Sequence, residues 1–245
     1  MRKPLFLNAL VAAVLFVACS PEEQLSCPDM APSTDLPATE VGLPFPEGEL
    51  TIDLDFNNED KVTQTWWGKL VYEYMSDAEI DANSSRGGST VVSQPRSGYV
   101  SGYPALVWDC GMVDRVYDFN TPDIIFIHGG TNDNTLKSEL GTIQCDLPIW
   151  EVDDFKFRSA YASMVRKLMD YYSDAQLILI IGNSLSEPYA QAIINVAEHY
   201  DLPYVSFIGD EIQACASDAS GIHPNPVGHA FMAQKIYESC KEYLQ

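Results

Sequence analysis

Two short glycine-containing stretches hold the side chains of this sequence that are best suited to chemistry. Residues 128–133 (HGGTND) include Asn132, whose amide is a hydrogen-bond donor for an oxygen on which negative charge develops. Residues 221–229 (GIHPNPVGH) include His223, whose imidazole titrates near neutral pH and can accept a proton as a general base. The two side chains form a site only if the fold brings both stretches to one place.

The hydrophobic pattern predicts the elements that must position these stretches. Apolar residues alternate with polar ones over 50–56, which indicates a half-buried strand, and continuous apolar runs indicate buried parallel strands. We expect further strands at 123–128, 176–181 and 204–208, with a weak one at 79–82. We expect helices at 65–75, 103–117, 154–172, 186–200 and 226–243, a loop at 84–102 and irregular structure at 134–152.

Strands that alternate with helices predict an α/β fold, a three-layer α/β/α sandwich around a central parallel sheet of the flavodoxin-like type. Right-handed crossovers place helices on both faces of such a sheet. Ligands then bind outside the carboxyl ends of the strands. The loops predicted to matter are 83–102, 128–135, 182–186 and 209–225.

The motifs in these loops resemble the conserved blocks of the SGNH/GDSL hydrolase family. Residues 130–133 (GTND) look like its third block, and residues 223–228 (HPNPVG) look like its fifth. Residues 83–89 (NSSRGGS) resemble its second block, and residues 65–70 (TWWGKL) resemble a helix that follows the first block in some bacterial members. The resemblance covers about residues 46–243 and implies the family's three-layer fold.

The resemblance implies acyl ester hydrolysis by a serine, a histidine and an oxyanion hole. It assigns His223 as the base, and Asn132 together with Gly88 (or Gly87) as oxyanion donors. The family often has an aspartate three residues before the histidine. That position holds a serine here, and Asp218, five residues before, is the substitute.

The nucleophile is the missing part of this assignment, because the sequence contains no Gly-Asp-Ser. One register places it near Pro37, and a second places it near residues 55–57, at the end of the strand predicted at 50–56. We prefer the second register, because it preserves the central strand of the sheet. Serines 84, 85 and 89 lie in the second-block loop, where ordinary turn residues are the favoured interpretation.

The N-terminal segment predicts export and anchoring. The apolar run from Leu5 to Ala18 follows two basic residues and is shorter than the roughly 20 residues that span a bilayer, which is typical of a secretory signal. Residues 16–19 (FVAC) resemble the lipobox of bacterial lipoproteins, which implies acylation of Cys19. We therefore expect a signal peptide at 1–18, a flexible tether at 19–45 and one hydrolase-like domain at 46–245, anchored in the bacterial cell envelope only through that lipid.

Composition limits the partners. The formal net charge of −21 over 245 residues disfavours nucleic-acid binding. The six cysteines include no CxxC pair, and the four histidines lack a ligand spacing such as HExxH, so we expect neither a metal nor a cofactor. His128 and His229 are expected to be structural, with His128 hydrogen-bonded in the core, and Trp66 and Trp67 are expected in or next to the core.

The leading function expected from the sequence is an exported, lipid-anchored ester hydrolase that acts on small acyl esters, such as acetyl groups on glycans. The main alternative is a domain of the same fold that lacks a nucleophile and binds glycans without hydrolysis. A structural surface lipoprotein is a third alternative.

Overall fold

The computed structural model describes residues 63–75, 77–85, 89–93, 111–117, 119–210 and 224–244. In chain order these residues form α1 (Trp66–Lys69), which a π-helical turn (Leu70–Tyr74) continues, then β1 (Ile124–His128), α2 (Thr131–Leu136), α3 (Phe157–Tyr171), β2 (Gln176–Ile181), α4 (Glu187–His199), β3 (Tyr204–Ser206) and α5 (Pro226–Cys240). Two short 3-10 turns lie at Met112–Asp114 and Ile149–Glu151.

The three described strands form a parallel sheet in the order β1-β2-β3. Ile124 pairs with Gln176 and His128 with Ile180, so β1 and β2 end side by side. Since all three strands run in the same direction, their carboxyl ends lie at one edge of the sheet. The connections from β1 to β2 and from β2 to β3 carry α3 and α4, as parallel pairing requires.

Each face of the sheet packs against its own hydrophobic core. Successive residues of a strand point to opposite faces, so the strand residues divide between the two cores. One core joins Ile125, Ile127 and Leu179 to α3 and α4, and the other joins Phe126, Ile178 and Ile180 to α1 and α5. The architecture is therefore the expected three-layer α/β/α sandwich.

Most predicted elements are confirmed to within a few residues. The strands expected at 123–128 and 176–181 are β1 and β2, and the helices expected at 154–172, 186–200 and 226–243 are α3, α4 and α5. The continuous apolar runs identify the buried strands because both of their faces are covered. Two expectations are wrong: residues 79–82 form no strand, and residues 111–117, the described part of the helix expected at 103–117, contain only a three-residue 3-10 turn.

The backbone of residues 111–117 is engaged by a distant segment, which explains the missing helix. The Met112 amide donates to the Thr90 carbonyl at 2.8 Å, and the Val113 amide donates to the Val91 carbonyl at 3.3 Å. These bonds replace helical ones, and no local periodicity reveals them.

Several sequence predictions concern residues that the structure does not describe. The signal peptide, the tether and the strand expected at 50–56 all lie outside the described residues. Within the described part, no helix combines the length and apolar character needed to cross a membrane. Of the described cysteines, Cys145 and Cys240 are free thiols.

Candidate active site

The carboxyl edge of the sheet collects the loops that follow the three strands. Residues 129–133 follow β1, residues 182–186 follow β2, and residues 207–210 follow β3. The Thr131 and Ser184 hydroxyls, from the first two loops, lie 3.3 Å apart. This edge is where ligands bind in open parallel sheets.

A left-handed glycine turns the chain from β1 into the helix that carries Asn132. Gly130 has a φ of 107°, which favours glycine, and a Cβ atom there would lie 2.9 Å from Cζ of Phe157. The turn places Asn132 in the first turn of α2. Asn132 is 3% exposed, and its Nδ2 donates to the Ser89 carbonyl oxygen at 2.8 Å. Asn132 is thus buried against Ser89, the last residue of the stretch that resembles the second block.

The neighbouring Asp133 fixes the same segment from a second point. Its side chain is fully buried, and its two carboxylate oxygens accept from the backbone amides of Val91 at 2.8 Å and Val92 at 3.3 Å. Hydrogen bonds from two amides compensate the burial of the carboxylate. Asp133 therefore holds residues 91 and 92 through their backbone amides, and Asn132 contacts the same segment through the Ser89 carbonyl.

Arg115 is a third buried polar residue in this region, and no motif in the sequence selects it. Its Nε donates to the Gly111 carbonyl at 3.2 Å, its Nη1 to the Ser84 carbonyl at 2.6 Å and its Nη2 to the Ser89 hydroxyl at 2.9 Å. The last two acceptors lie 31 and 26 residues away in sequence. We call Arg115, Asn132, Asp133 and residues 89–93 the clamp cluster.

The hydroxyls of two of the serines considered as nucleophiles are engaged in hydrogen bonds with other protein groups. Ser89 is 1% exposed, and its hydroxyl accepts from Arg115 and donates to the Thr90 carbonyl at 3.2 Å. The Ser85 hydroxyl donates to the side-chain oxygen of Asn83. The burial of Ser89 argues against attack on a substrate by its hydroxyl.

Of the four predicted site residues, the structure describes Asn132. His223, Asp218 and Gly88, as well as the alternative Gly87, lie outside the described residues, so their assignments stay predictions. The helix that follows His223 is well defined, because Asn225 caps it by accepting from the amides of Val227 and Gly228, each at 3.0 Å. An asparagine cap followed by proline is a strong signal for a helix start.

The other face of the sheet holds the His–Trp cluster, which consists of Trp66, Trp67, His128 and His229. The Trp66 amide donates to Nδ1 of His229 at 3.2 Å, and the ring of Trp66 lies 6.3 Å from that of His128 in an edge-on arrangement. Burial, and then the proximity of His229, lowers the pKa of His128 to about 4. Burial, and then Lys69, lowers the pKa of His229 to about 4. Both imidazoles are therefore neutral at pH 7.

The His–Trp cluster agrees with the sequence expectation for the tryptophans and differs from it for His128. Both tryptophans are fully buried in the core, because they pack between the sheet and α5. Nδ1 of His128 is buried without a hydrogen-bond partner among the described residues, whereas a hydrogen-bonded histidine was expected. The described residues also contain no group of three or more His, Cys, Asp or Glu side chains that could hold a metal ion.

One apolar cavity lies next to the clamp cluster. It has a volume of about 20 Å³ and is lined by Arg115, Met112, Ile125, Ile127 and Met164, among others. That volume is close to the space needed for about one water molecule.

Solved structures share this fold. A protein assigned as a GDSL-like lipase from Bacteroides ovatus ATCC 8483 is 25% identical, with a TM-score of 0.61 over 74% of this chain and 80% of that one. A similarly assigned protein from Bacteroides uniformis ATCC 8492 is 24% identical, with a TM-score of 0.61 over 74% of this chain and 78% of that one. A carbohydrate esterase, whose active site is described as displaying divergent catalytic and non-catalytic binding functions, is 16% identical, with a TM-score of 0.50 over 75% of this chain and 59% of that one.

The family itself is shown by a sequence model rather than by these structures. No curated protein matches the chain. The model of the GDSL-like lipases and acylhydrolases matches residues 50–240, and this range contains the clamp cluster and both glycine-containing motifs. The chain therefore belongs to the GDSL-like lipase/acylhydrolase family, the SGNH/GDSL hydrolases.

Proposed function

We propose that this chain is an active acyl ester hydrolase whose oxyanion hole includes Asn132. The observation that carries the proposal is the position of the Asn132 amide at the carboxyl edge of β1. Nδ2 carries two hydrogens, and the bond to the Ser89 carbonyl uses one of them. We propose that the second is directed to an oxyanion at the edge of the sheet. A fixed donor in a buried setting stabilises developing charge far better than a donor in water.

The proposed reaction follows the family's acyl transfer, with His223 as the base and Asp218 as its orienting acid. A nucleophilic oxygen attacks the carbonyl carbon while its proton passes to His223. The carbonyl oxygen becomes an oxyanion, held by Asn132 and by the backbone amide of Gly88. The C–O bond to the alcohol then breaks, the alcohol takes the proton from His223, and water releases the acyl group by the same steps.

The substrate class and location are the finer parts of the proposal. We propose small acyl esters, with acetyl groups on glycans as the leading case, and attachment to the bacterial cell envelope through a lipid on Cys19. A carbohydrate esterase with the same fold supports the glycan at the level of analogy alone. The short apolar run before Cys19 supports an exported protein.

Labelling of the nucleophile tests the reaction class. The purified chain is treated with a fluorophosphonate, and any adduct is mapped by peptide mass. We expect an adduct on one serine that is lost in His223→Ala and retained in His199→Ala, a matched control because His199 is exposed at the end of α4. An adduct that survives in His223→Ala would remove His223 as the base.

A glycan-binding domain without hydrolysis is the second candidate. The absence of Gly-Asp-Ser from the sequence and the burial of Ser89 favour it. A folded sample that forms no adduct and hydrolyses no acetyl ester, yet binds oligosaccharides in a calorimeter, would replace the hydrolase proposal with this one.

A further inference from the structure

We infer that Arg115 is a positioning residue for the Asn132 amide, acting through Ser89. The inference rests on the proposed role of Asn132 and adds a residue that neither the sequence motifs nor the family blocks include. Two hydrogen bonds link the three residues, one to the Ser89 hydroxyl and one to the Ser89 backbone carbonyl.

The guanidinium of Arg115 is a buried group that donates hydrogen bonds in three directions, and not a surface charge. It is buried, and its three donor nitrogens bond to Gly111, Ser84 and Ser89 at 3.2, 2.6 and 2.9 Å. The planar guanidinium fixes the directions of these bonds relative to one another. Its position therefore sets the distance between the backbone at residue 84 and the side chain at residue 89.

Ser89 transmits that position to the candidate oxyanion donor. Its hydroxyl accepts from Nη2 of Arg115 at 2.9 Å, and its carbonyl oxygen accepts from Nδ2 of Asn132 at 2.8 Å. The bond to the carbonyl fixes the rotation of the Asn132 amide about its side-chain torsions. The direction of the second N–H of Asn132 is thus determined by where Arg115 holds Ser89.

Asp133 provides the reason that this effect is local. It holds the amides of Val91 and Val92, two and three residues after Ser89, independently of Arg115. Loss of the guanidinium therefore removes the link from the Ser89 hydroxyl to the backbone at residues 84 and 111, while Asp133 continues to hold Val91 and Val92. A misplacement of about 1 Å at a catalytic group can lower turnover about a hundredfold.

Kinetics of the full chain on p-nitrophenyl acetate test the inference. We expect Arg115→Met to lower kcat by about 10- to 100-fold with KM changed by less than about threefold, because an interaction of the transition state is lost. Arg115→Lys should have a higher kcat than Arg115→Met, since lysine keeps a hydrogen-bond donor but lacks the planar guanidinium that fixes three bond directions. The matched control is Arg166→Met, because Arg166 also donates to backbone carbonyls, those of Cys145 and Leu147, at 3.3 and 2.7 Å. We expect its kcat within about twofold of wild type.

A double-mutant cycle separates positioning from a general structural role. If Arg115 acts through Asn132, Arg115→Met in the Asn132→Ala background lowers kcat by less than about threefold beyond Asn132→Ala alone. An undiminished effect in that background would overturn the inference. An Arg115→Met enzyme no slower than Arg166→Met would also overturn it.

A second readout does not depend on activity and separates this inference from the proposed function. Hydrogen exchange of the Ser89 and Thr90 amides, resolved by NMR, should be faster by about tenfold in Arg115→Met than in Arg166→Met, while the Val91 and Val92 amides, which Asp133 holds, exchange as in wild type. If the wild-type chain hydrolyses no ester, the proposed function fails and exchange alone decides whether Arg115 positions this segment. Equal exchange in both variants overturns the inference whatever the activity.

Discussion

The clamp cluster and the His–Trp cluster lie on opposite faces of one sheet, and polar atoms are treated differently in each. In the clamp cluster, Asn132, Asp133 and Arg115 each have described bonds to another segment of the chain. In the His–Trp cluster, the indole nitrogens of both tryptophans and Nδ1 of His128 are buried without a hydrogen-bond partner among the described residues. Hydrogen bonds to buried polar side chains are numerous within the clamp cluster and few within the His–Trp cluster.

This difference indicates which property of the protein each cluster determines. Buried polar networks that are well satisfied fix geometry, and fixed geometry is what an oxyanion donor requires. Large aromatic side chains with little polar compensation contribute mainly by burial of apolar area. We therefore expect the clamp cluster to control activity and the His–Trp cluster to control the dependence of stability on pH.

Asp133→Ala should have the largest effect on stability in the clamp cluster. The substitution leaves the buried amides of Val91 and Val92 without their acceptor, and each such loss costs roughly 1–3 kcal/mol. We expect the free energy of unfolding to fall by about 3 to 5 kcal/mol, measured by urea denaturation. Asp174→Ala, at an exposed position, is the control and should change it by less than about 0.5 kcal/mol. A loss equal to that of the control would mean that Asp133 does not hold the segment.

The His–Trp cluster should make stability fall in acid. The pKa values of His128 and His229 in the folded state are about 4, below the ordinary value of 6.5, so the unfolded chain binds more protons between these values. The contribution is fully present above about pH 6.5 and is lost as the pH falls to about 4. We expect a loss of about 2 to 4 kcal/mol over this range.

Carboxylates also titrate in acid, so a substitution at His229 that does not titrate is needed to separate the contribution of this histidine to the loss of stability. His229→Asn keeps an acceptor for the Trp66 amide and should reduce the acid-dependent loss by a third or more. His199→Asn, on the exposed end of α4, should leave it unchanged. Equal pH profiles for the two variants would remove His229 as a source of the effect.

Two glycines at the same edge of the sheet allow the cost of backbone strain to be compared with the cost of steric contact by an added Cβ atom. Gly130 and Gly209 both have positive φ, at 107° and 81°, but a Cβ at Gly130 would meet Phe157 at 2.9 Å, whereas one at Gly209 would meet nothing within 4 Å. We expect Gly130→Ala to lower the free energy of unfolding by about 2 to 3 kcal/mol and Gly209→Ala by about 1 kcal/mol. Thermal melts of both variants measure the difference, and equal losses would show that contact with Phe157 does not matter.

The sequence was sufficient for the parts of the fold that local pattern encodes. The continuous apolar runs located β1 and β2, and the Asn225-Pro226 pair fits the start of α5. Asn132 could be selected because glycines precede it and a predicted strand ends beside it. These signals are contained in a few adjacent residues.

Arg115 and the segment around it could not be predicted in the same way. Its acceptors at residues 84 and 89 are 31 and 26 residues distant in sequence. A single arginine also forms no periodic pattern that could indicate a buried position. The helix expected at 103–117 is wrong over its described residues because their backbone bonds to residues 90 and 91. Long-range backbone pairing is a property of the folded chain, which no window of neighbouring residues contains.

The central claim, that Asn132 is an oxyanion donor of an active hydrolase, is tested most directly by turnover of Asn132→Ala on a small acyl ester. We predict that kcat falls by about 100- to 1000-fold, while the free energy of unfolding falls by only about 1 kcal/mol for the lost bond to Ser89. Asn195→Ala, which removes an amide on the surface of α4, should retain wild-type kcat. An Asn132→Ala enzyme within threefold of wild type would contradict the account.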